Sequence, residues 1–225
     1  ILPFTINAGA APAAAAIIPA GLIFAYNKAN EFNSDEIKVL LPQGTLYNDL
    51  SFVYKKLPKP SGNAWSNIHQ IHNRYTPLHV GFNFWIKADA LPENLRSKAL
   101  IVSTGGSSQG GTFENGYVKA SPRNFGSFYI AVDTIAPRIS PVNIADGKSM
   151  AGLSKMTFKI SDNLSGIKSF NGYIDGKWVL MEFDAKTATL WHSFDDRTAS
   201  GKHNFELVVS DVKDNVRRYS ISFFR

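Results

Sequence analysis

Short runs of alternating apolar and polar residues make up the chain from Glu36 to its end. In segment 77–88, PLHVGFNFWIKA, every second residue from Val80 to Ile86 is apolar, and Trp85 falls on the opposite face. This period of two is typical of a β-strand with one buried face. Segment 155–161, KMTFKIS, repeats the pattern, and we find no long stretch with helical periodicity. The pattern therefore predicts an all-β fold.

Segment 162–191, DNLSGIKSFNGYIDGKWVLMEFDAKTATLW, combines two turns with the strands between them. Asp162 can bond its own backbone in a tight turn, and Gly166 can adopt a positive φ without a Cβ clash. Asp175-Gly176 is a strong signal for a two-residue β-hairpin, because a type I′ turn needs positive φ at both central positions. We expect Trp178, just after that turn, to lie in the core. The segment is typical of the centre of a β-sandwich.

The proline in Asp133-Thr134-Ile135-Ala136-Pro137 marks a domain boundary, because proline cannot donate to a sheet and restricts the residue before it. Short strands separated by turn residues on both sides of this point are typical of sandwiches. We therefore predict two consecutive immunoglobulin-like antiparallel β-sandwich domains, at residues 26–134 and 135–225.

Residues 1–25, ILPFTINAGAAPAAAAIIPAGLIFA, are rich in alanine and broken by Pro3, Pro12 and Pro19. The segment has no basic n-region, and its prolines interrupt any helix, so it does not have the form of a signal peptide. We interpret it as a connector or the end of a preceding domain, and we expect the natural protein to begin further upstream. A membrane anchor and a wrongly assigned stretch are the alternatives.

The composition excludes some classes of site. The 225 residues contain no cysteine, which excludes disulfides, thiolate metal sites and a cysteine nucleophile. The formal net charge is +6, but residues from Ile135 onward carry 13 basic and 10 acidic side chains and the rest carry 11 and 8. This even spread argues against a nucleic-acid partner, which would require a basic patch.

The order of several motifs resembles the C-terminal, non-catalytic region of Bacteroidetes cell-wall peptidases of the lysostaphin type, the zinc endopeptidase family M twenty-three. The most specific motif is SDNLSGIKSFNGYIDGKWVLMEFD at 161–184. The preceding motifs are LPQGTLYNDLSF at 41–52, IHNRYTPLHVGF at 71–82, LPENLRSKALIV at 91–102, GTFENGYVKA at 111–120 and FGSFYIAVDTIAPRISPVN at 125–143. The resemblance extends from about residue 30 to the end.

This resemblance implies an accessory region with immunoglobulin-like domains, preceded by a zinc peptidase domain that cuts peptidoglycan cross-bridges. The expected role is a spacer, targeting or docking region in the bacterial cell envelope, periplasmic or bound to the outer membrane. Its expected partners are the upstream peptidase domain, outer-membrane proteins or peptidoglycan. The alternative is an interaction subunit of an outer-membrane assembly without peptidase activity.

Histidines are the first candidates for a catalytic or metal site. A lysostaphin-type zinc site needs an H-x-x-x-D segment and an H-x-H segment. His192 and Asp196 match the first spacing, but nothing matches the second. We therefore assign no catalytic residue, cofactor residue or zinc ligand in this chain. His69, His72 and His79 lie close in sequence, and no nearby carboxylate completes a metal site. We expect them to form hydrogen bonds in the loop before strand 77–88 or to lie on the solvent face of that strand.

Two further motifs receive a structural interpretation. The run 106–110, GSSQG, fits G-x-S-x-G, but no helix follows the serine as a nucleophile elbow requires, so we predict a hairpin loop. Asp162, Asp211 and Asp214 are candidate ligands of a calcium site where sandwich loops meet, since calcium takes carboxylate oxygens. Turn formation is the simpler explanation of these three residues.

Trp85 is the best candidate for an exposed aromatic contact, because it lies opposite the apolar row of its strand. We expect it to contact a ligand or a partner. If the chain is a carbohydrate- or peptidoglycan-binding module, this residue is expected to carry the binding.

Overall fold

The chain folds into two β-sandwiches that follow one another in sequence. The computed structural model describes residues 21–225. Most of the predicted connector at 1–25 lies outside the described residues, and Ile23–Phe24 already form the first strand, with Phe24 buried. Within the described part of the chain, no helix has the length and apolar character needed to cross a membrane.

Within residues 21–134, the first sandwich contains eleven strands and a short 3-10 helix (Glu93–Lys98). Its two main sheets have the strand orders β2-β3-β7-β10-β9 and β5-β6-β11-β8, and β1 pairs with β4. The strands are β1 (Ile23–Phe24), β2 (Asn30–Asn33), β3 (Ile37–Leu41), β4 (Leu50–Ser51), β5 (Tyr54–Leu57), β6 (Ile68–Ile71), β7 (Asn83–Lys87), β8 (Ala99–Ser103), β9 (Thr112–Glu114), β10 (Tyr117–Ala120) and β11 (Gly126–Val132).

An aromatic core fills the first sandwich, as the alternating pattern predicted. Phe84 of β7 is buried and lies 5.7 Å from the ring of Phe128 on β11. The strand predicted at 77–88 is shorter than expected, however, and Val80 is 45% exposed. Just before β7 the chain runs close to Pro122, whose carbonyl oxygen accepts from the N–H of Phe82 at 3.0 Å and would lie only 2.8 Å from a Cβ on Gly81.

The second sandwich contains nine strands. Its sheets have the strand orders β12-β14-β18-β17 and β13-β20-β19-β15-β16. The strands are β12 (Arg138–Pro141), β13 (Lys148–Ser149), β14 (Lys155–Ser161), β15 (Ile167–Ile174), β16 (Lys177–Val179), β17 (Glu182–Asp184), β18 (Thr189–Ser193), β19 (Lys202–Asp211) and β20 (Val216–Phe224).

The predicted hairpin forms between β15 and β16. Asp175 and Gly176 have φ values of 50° and 76°, as a type I′ turn requires. Trp178, expected in the core, is instead 59% exposed. The physical reason is its place in the alternation of β16, where Val179 packs against the core and Trp178 points to the outer face.

The predicted fold class is confirmed. Strands dominate both units, and within residues 21–225 all strand pairs are antiparallel except β13 with β20. Each unit has its own buried apolar cluster between two sheets, which is the arrangement of an immunoglobulin-like sandwich.

Candidate functional site

The two sandwiches meet at a cluster of three aspartates. Asp133 follows the last strand of the first sandwich, Asp162 follows β14, and Asp211 ends β19. Only residues 133–137 separate β11 from β12, so the short linker brings the end of the first sandwich against two loops of the second. We call Asp133, Asp162 and Asp211 the junction cluster.

The carboxylates of the junction cluster are close and largely shielded from solvent. One oxygen from each lies within 4.8 Å of the other two. Asp133 is 1% exposed and Asp211 is 0% exposed, while Asp162 is partly buried. Buried charges are costly unless other groups compensate them, so their hydrogen-bond partners decide what the cluster can do.

Asp162 stabilises its turn in the way the sequence predicted. Its Oδ2 accepts hydrogen bonds from the backbone N–H groups of Leu164 at 3.0 Å and Gly166 at 2.8 Å. Gly166 has a φ of 90°, which glycine adopts without strain. The other oxygen, Oδ1, is buried and has no hydrogen-bond partner among the described residues.

Asp211 and Asp133 are connected through Asn215. Asp211 Oδ1 accepts from the backbone N–H groups of Lys213 and Asn215, both at 2.8 Å. The Asn215 amide Nδ2 donates to Asp211 Oδ2 at 2.7 Å and to the backbone oxygen of Asp133 at 2.9 Å. The Asp133 carboxylate accepts from the backbone N–H groups of Ile135 and Ser165. These bonds join the linker to both loops.

Lys213 supplies a buried positive charge beside the cluster. Its Nζ donates to the backbone oxygen of Gly111 in the first sandwich at 2.7 Å. Burial lowers the pKa of Lys213, and the nearby Asp133 and Asp211 oppose that shift. Lys98 of the first sandwich donates in turn to the backbone oxygen of Lys213.

The junction cluster offers only oxygen ligands, which suit calcium or magnesium rather than zinc. Its three carboxylates, including the unbonded Oδ1 of Asp162, could hold such a cation together with backbone carbonyl oxygens or water. The predicted set needs one correction, because Asp214 is exposed and pairs with Lys168 at 2.6 Å. Asp133 takes its place.

Asp133 could not be recognised from sequence, because it lies 29 residues before Asp162 and belongs to the other sandwich. The available signal was its position at the end of a strand and just before the Pro137 linker. That position predicted a boundary but not a contact with the loops of the second sandwich.

Trp85 lies on β7, on the face opposite Phe84. It is half-buried, its Nε1 donates to Glu114 Oε1 at 2.8 Å, and the Nζ of Lys119 lies 5.0 Å from its ring centre. The expected ligand or partner contact at Trp85 stays a prediction.

The clustered histidines bond separate partners, as interpreted, but His69 lies buried on β6 rather than in a loop or on a solvent face, and Glu36 lies 3.7 Å from its Nε2. Tyr54 contacts the Nδ1 of His69 at 2.9 Å, and His72 and His79 bond other partners. Burial is the main cause that lowers the pKa of His69 to about 4, while the nearby Glu36 opposes the shift. The junction cluster is the only group of at least three potential metal-ligating side chains found in residues 21–225.

His192 and the run 106–110 also have structural roles. His192 lies on β18, is 5% exposed, and its Nδ1 bonds the backbone oxygen of Leu180 at 2.9 Å. The backbone N–H of Gly106 donates to the carbonyl of Ser103 as the chain turns after β8. This is the predicted loop.

Residues 22–133, the first sandwich, match the family model of a Zu5-like domain. No curated protein matches the chain. A structure of fibronectin(III)-like modules of CbhA from Clostridium thermocellum is similar at 15% identity and a TM-score of 0.31, over 63% of this chain and 84% of that one. The Zu5-like match and the two sandwiches support an accessory or binding region.

Proposed function

We propose that the chain is a non-catalytic accessory region in which the two sandwiches act as one rigid arm. The arm holds a neighbouring domain or a partner at a fixed distance and orientation. The junction carries this proposal, because side chains of each sandwich bond the backbone of the other there.

Four hydrogen bonds cross the junction. The Asp133 carboxylate accepts from the backbone N–H of Ser165, and the Asp133 backbone oxygen accepts from the side chain of Asn215, both at 2.9 Å. The Lys213 side chain donates to the backbone oxygen of Gly111, and the Lys98 side chain donates to the backbone oxygen of Lys213. A bond between buried groups is costly to break when the donor or acceptor that is left remains shielded from water. Relative rotation of the sandwiches would break several of them together.

Apolar packing reinforces these bonds. Leu164, in the turn stabilised by Asp162, packs against a small cluster in the first sandwich that includes Leu100, Val102 and Ala131. These three side chains are almost completely buried. Since inter-domain motion is the default for small polar interfaces, this combination of apolar and buried polar contacts favours a fixed arrangement.

Distance measurements between two spin labels test the rigid arm. The chain has no cysteine, so Glu31→Cys and Lys186→Cys introduce one labelling site on each sandwich at exposed positions. Double electron–electron resonance is expected to give one narrow distance distribution. Lys213→Ala in the same background is expected to broaden it, and Lys155→Ala, an exposed lysine away from the junction, should not. A broad distribution in the parent protein would rule out the arm.

We also propose that this arm belongs to a peptidoglycan zinc endopeptidase of the cell envelope, with its zinc in an upstream domain. The support is the motif order that the chain shares with lysostaphin-type peptidases, including 161–184. The partners would then be the peptidase domain and, through it, peptidoglycan. An interaction subunit of an outer-membrane assembly is the second candidate.

The intact mass of the natural protein, combined with peptide mapping, separates these two candidates. A mass well above 24.8 kDa, with upstream peptides that contain H-x-x-x-D and H-x-H motifs, is expected for a peptidase parent. Zymography on peptidoglycan would then measure its activity. Upstream sequence without those motifs would favour the assembly subunit, which crosslinking in cells would identify.

A further inference from the structure

The outer surface of the sheet β13-β20-β19-β15-β16 presents a row of aromatic and polar side chains. Trp178 pairs with Tyr173, Tyr173 with Glu206, and Glu206 with Ser220 across four neighbouring strands. Directly paired residues lie on the same face of a sheet. We call this surface the open face.

Two aromatic rings lie next to each other at one side of the open face. Trp178 is 59% exposed and Tyr173, its cross-strand neighbour, is half-buried. The indole Nε1 of Trp178 donates to Asn171 Oδ1 at 3.3 Å, which favours one orientation of the ring. An exposed, oriented indole is suited to binding, because less conformational entropy is lost when a ligand stacks on it.

A shallow depression of about 680 Å³ continues from Tyr173 across the open face. Its lining includes the amide of Asn204, the hydroxyls of Ser220 and Ser222, and the carboxylate of Glu206. Beside it, Arg218 bonds Glu206 at 2.8 Å. These groups offer hydrogen-bond donors and acceptors in a volume typical of a ligand site.

The charges of the open face balance. Glu206 and Asp146 are acidic, and Arg218 and Lys202 are basic. A ligand of high net charge would therefore find little complementarity here. The exposed apolar side chains are dispersed, with Trp178 on β16 and Val216 and Phe224 near opposite ends of β20, so the surface lacks the single apolar centre of a stable protein interface.

We propose that the open face binds a neutral saccharide chain. The apolar C–H face of a pyranose ring stacks on Trp178, because aromatic side chains combine an apolar surface with a polar edge. Hydroxyl groups of the next ring then bond Asn204 and the pair of Glu206 and Arg218, since hydrogen bonds to charged groups are the stronger ones. The inference is independent of the rigid arm.

Trp178 differs from Trp85 in what covers its ring. The ammonium of Lys119 lies 5.0 Å from the ring centre of Trp85, and Glu114 holds the indole N–H. No lysine or arginine of the described chain stacks on Trp178 in this way, and it is the more exposed of the two. We therefore assign the stacking role to Trp178.

Titration calorimetry of the full chain with two soluble probes tests the proposal. The probes are hexasaccharides of β-1,4-linked glucose and of β-1,4-linked N-acetylglucosamine, which distinguish a plant-type glucan from a wall-type amino sugar. Binding of at least one probe is expected. Trp178→Ala should weaken that binding by about tenfold or more, equivalent to about 1.4 kcal/mol.

Two further variants make the result specific. Glu206→Gln keeps the shape of the side chain and should weaken binding by about tenfold, because it loses a charged acceptor. Tyr75→Ala removes another aromatic ring, 78% exposed on the first sandwich, and should leave binding unchanged. Circular dichroism confirms that each variant is folded.

Absence of binding to both probes would overturn the proposal, as would undiminished binding by folded Trp178→Ala. In a positive case, the indole N–H signal of Trp178 should move in an NMR titration with the bound probe, and Trp178→Phe assigns that signal. Neither result depends on the spin-label distances, so failure of the saccharide site and failure of the rigid arm can be told apart.

Discussion

Replacing Asn215 by alanine is expected to loosen the junction. Asn215 is 8% exposed, and its side-chain amide donates to two buried acceptors, the backbone oxygen of Asp133 and Oδ2 of Asp211. Truncation leaves both without this donor. An unsatisfied buried acceptor costs about 1–3 kcal/mol, and more when it is charged. We expect the variant to lose about 3 kcal/mol of unfolding free energy.

Asn143 provides a matched control. It also uses its side-chain amide for two bonds, to the backbone of Lys155 at 2.9 Å and of Thr157 at 2.8 Å, but it lies away from the junction and nearer to solvent. Water can bond the backbone groups that lose the Asn143 side chain, so Asn143→Ala should lower the free energy of unfolding by only about 1 kcal/mol. It should also leave the inter-domain distance distribution unchanged.

Urea denaturation measured by far-ultraviolet circular dichroism gives the free energies, and tryptophan fluorescence checks whether the sandwiches unfold together. Asn215→Ala should show both the larger loss of stability and a broader distance distribution between the labels. The reasoning about the junction would be refuted if Asn215→Ala cost no more than Asn143→Ala, or if the distances stayed narrow.

Three other predictions address the cation, the pH dependence and the core. Millimolar calcium chloride should raise the melting temperature of the parent protein, by mass action on the folded state, but not that of Asp162→Asn; equal shifts in both would exclude the junction cluster as the site. The pKa of His69 is lowered to about 4 in the folded state and is about 6.5 in the unfolded chain. As the pH falls from about 6.5 to about 4, only the unfolded chain takes up this proton, so the free energy of unfolding should fall by up to about 3 kcal/mol. Urea denaturation at neutral pH and at pH near 4.5 measures this loss, and His69→Phe should reduce it; an unchanged loss in that variant would contradict the assignment. Gly172→Ala should lower the free energy of unfolding by about 1–3 kcal/mol, because the added Cβ would lie 2.6 Å from Met181 Sδ. An unchanged melting temperature would contradict this expectation and show that Met181 moves aside freely.

The spacing of apolar residues was sufficient for the fold class and much of the second sandwich. The alternation in 155–161 corresponds to β14, and Asp175-Gly176 forms the predicted hairpin. These features depend on interactions between residues close in sequence, such as the positive φ of a two-residue turn. For the same reason, the turn role of Asp162 could be predicted from its neighbours.

Only the tertiary structure decided which surfaces are buried and which side chains meet. Trp178 was expected in the core, but in the alternation of β16 it falls on the outer face while Val179 packs inward, and which face of a short strand packs against the core depends on the sheet that it joins. Asp133 joins Asp162 and Asp211 because a five-residue linker folds one sandwich against the loops of the other. The sequence therefore determined the strands, their alternation and the tight turns, which are local properties. The junction cluster and the open face depend on contacts between residues far apart in the chain, and these arise only when the sheets and domains pack together.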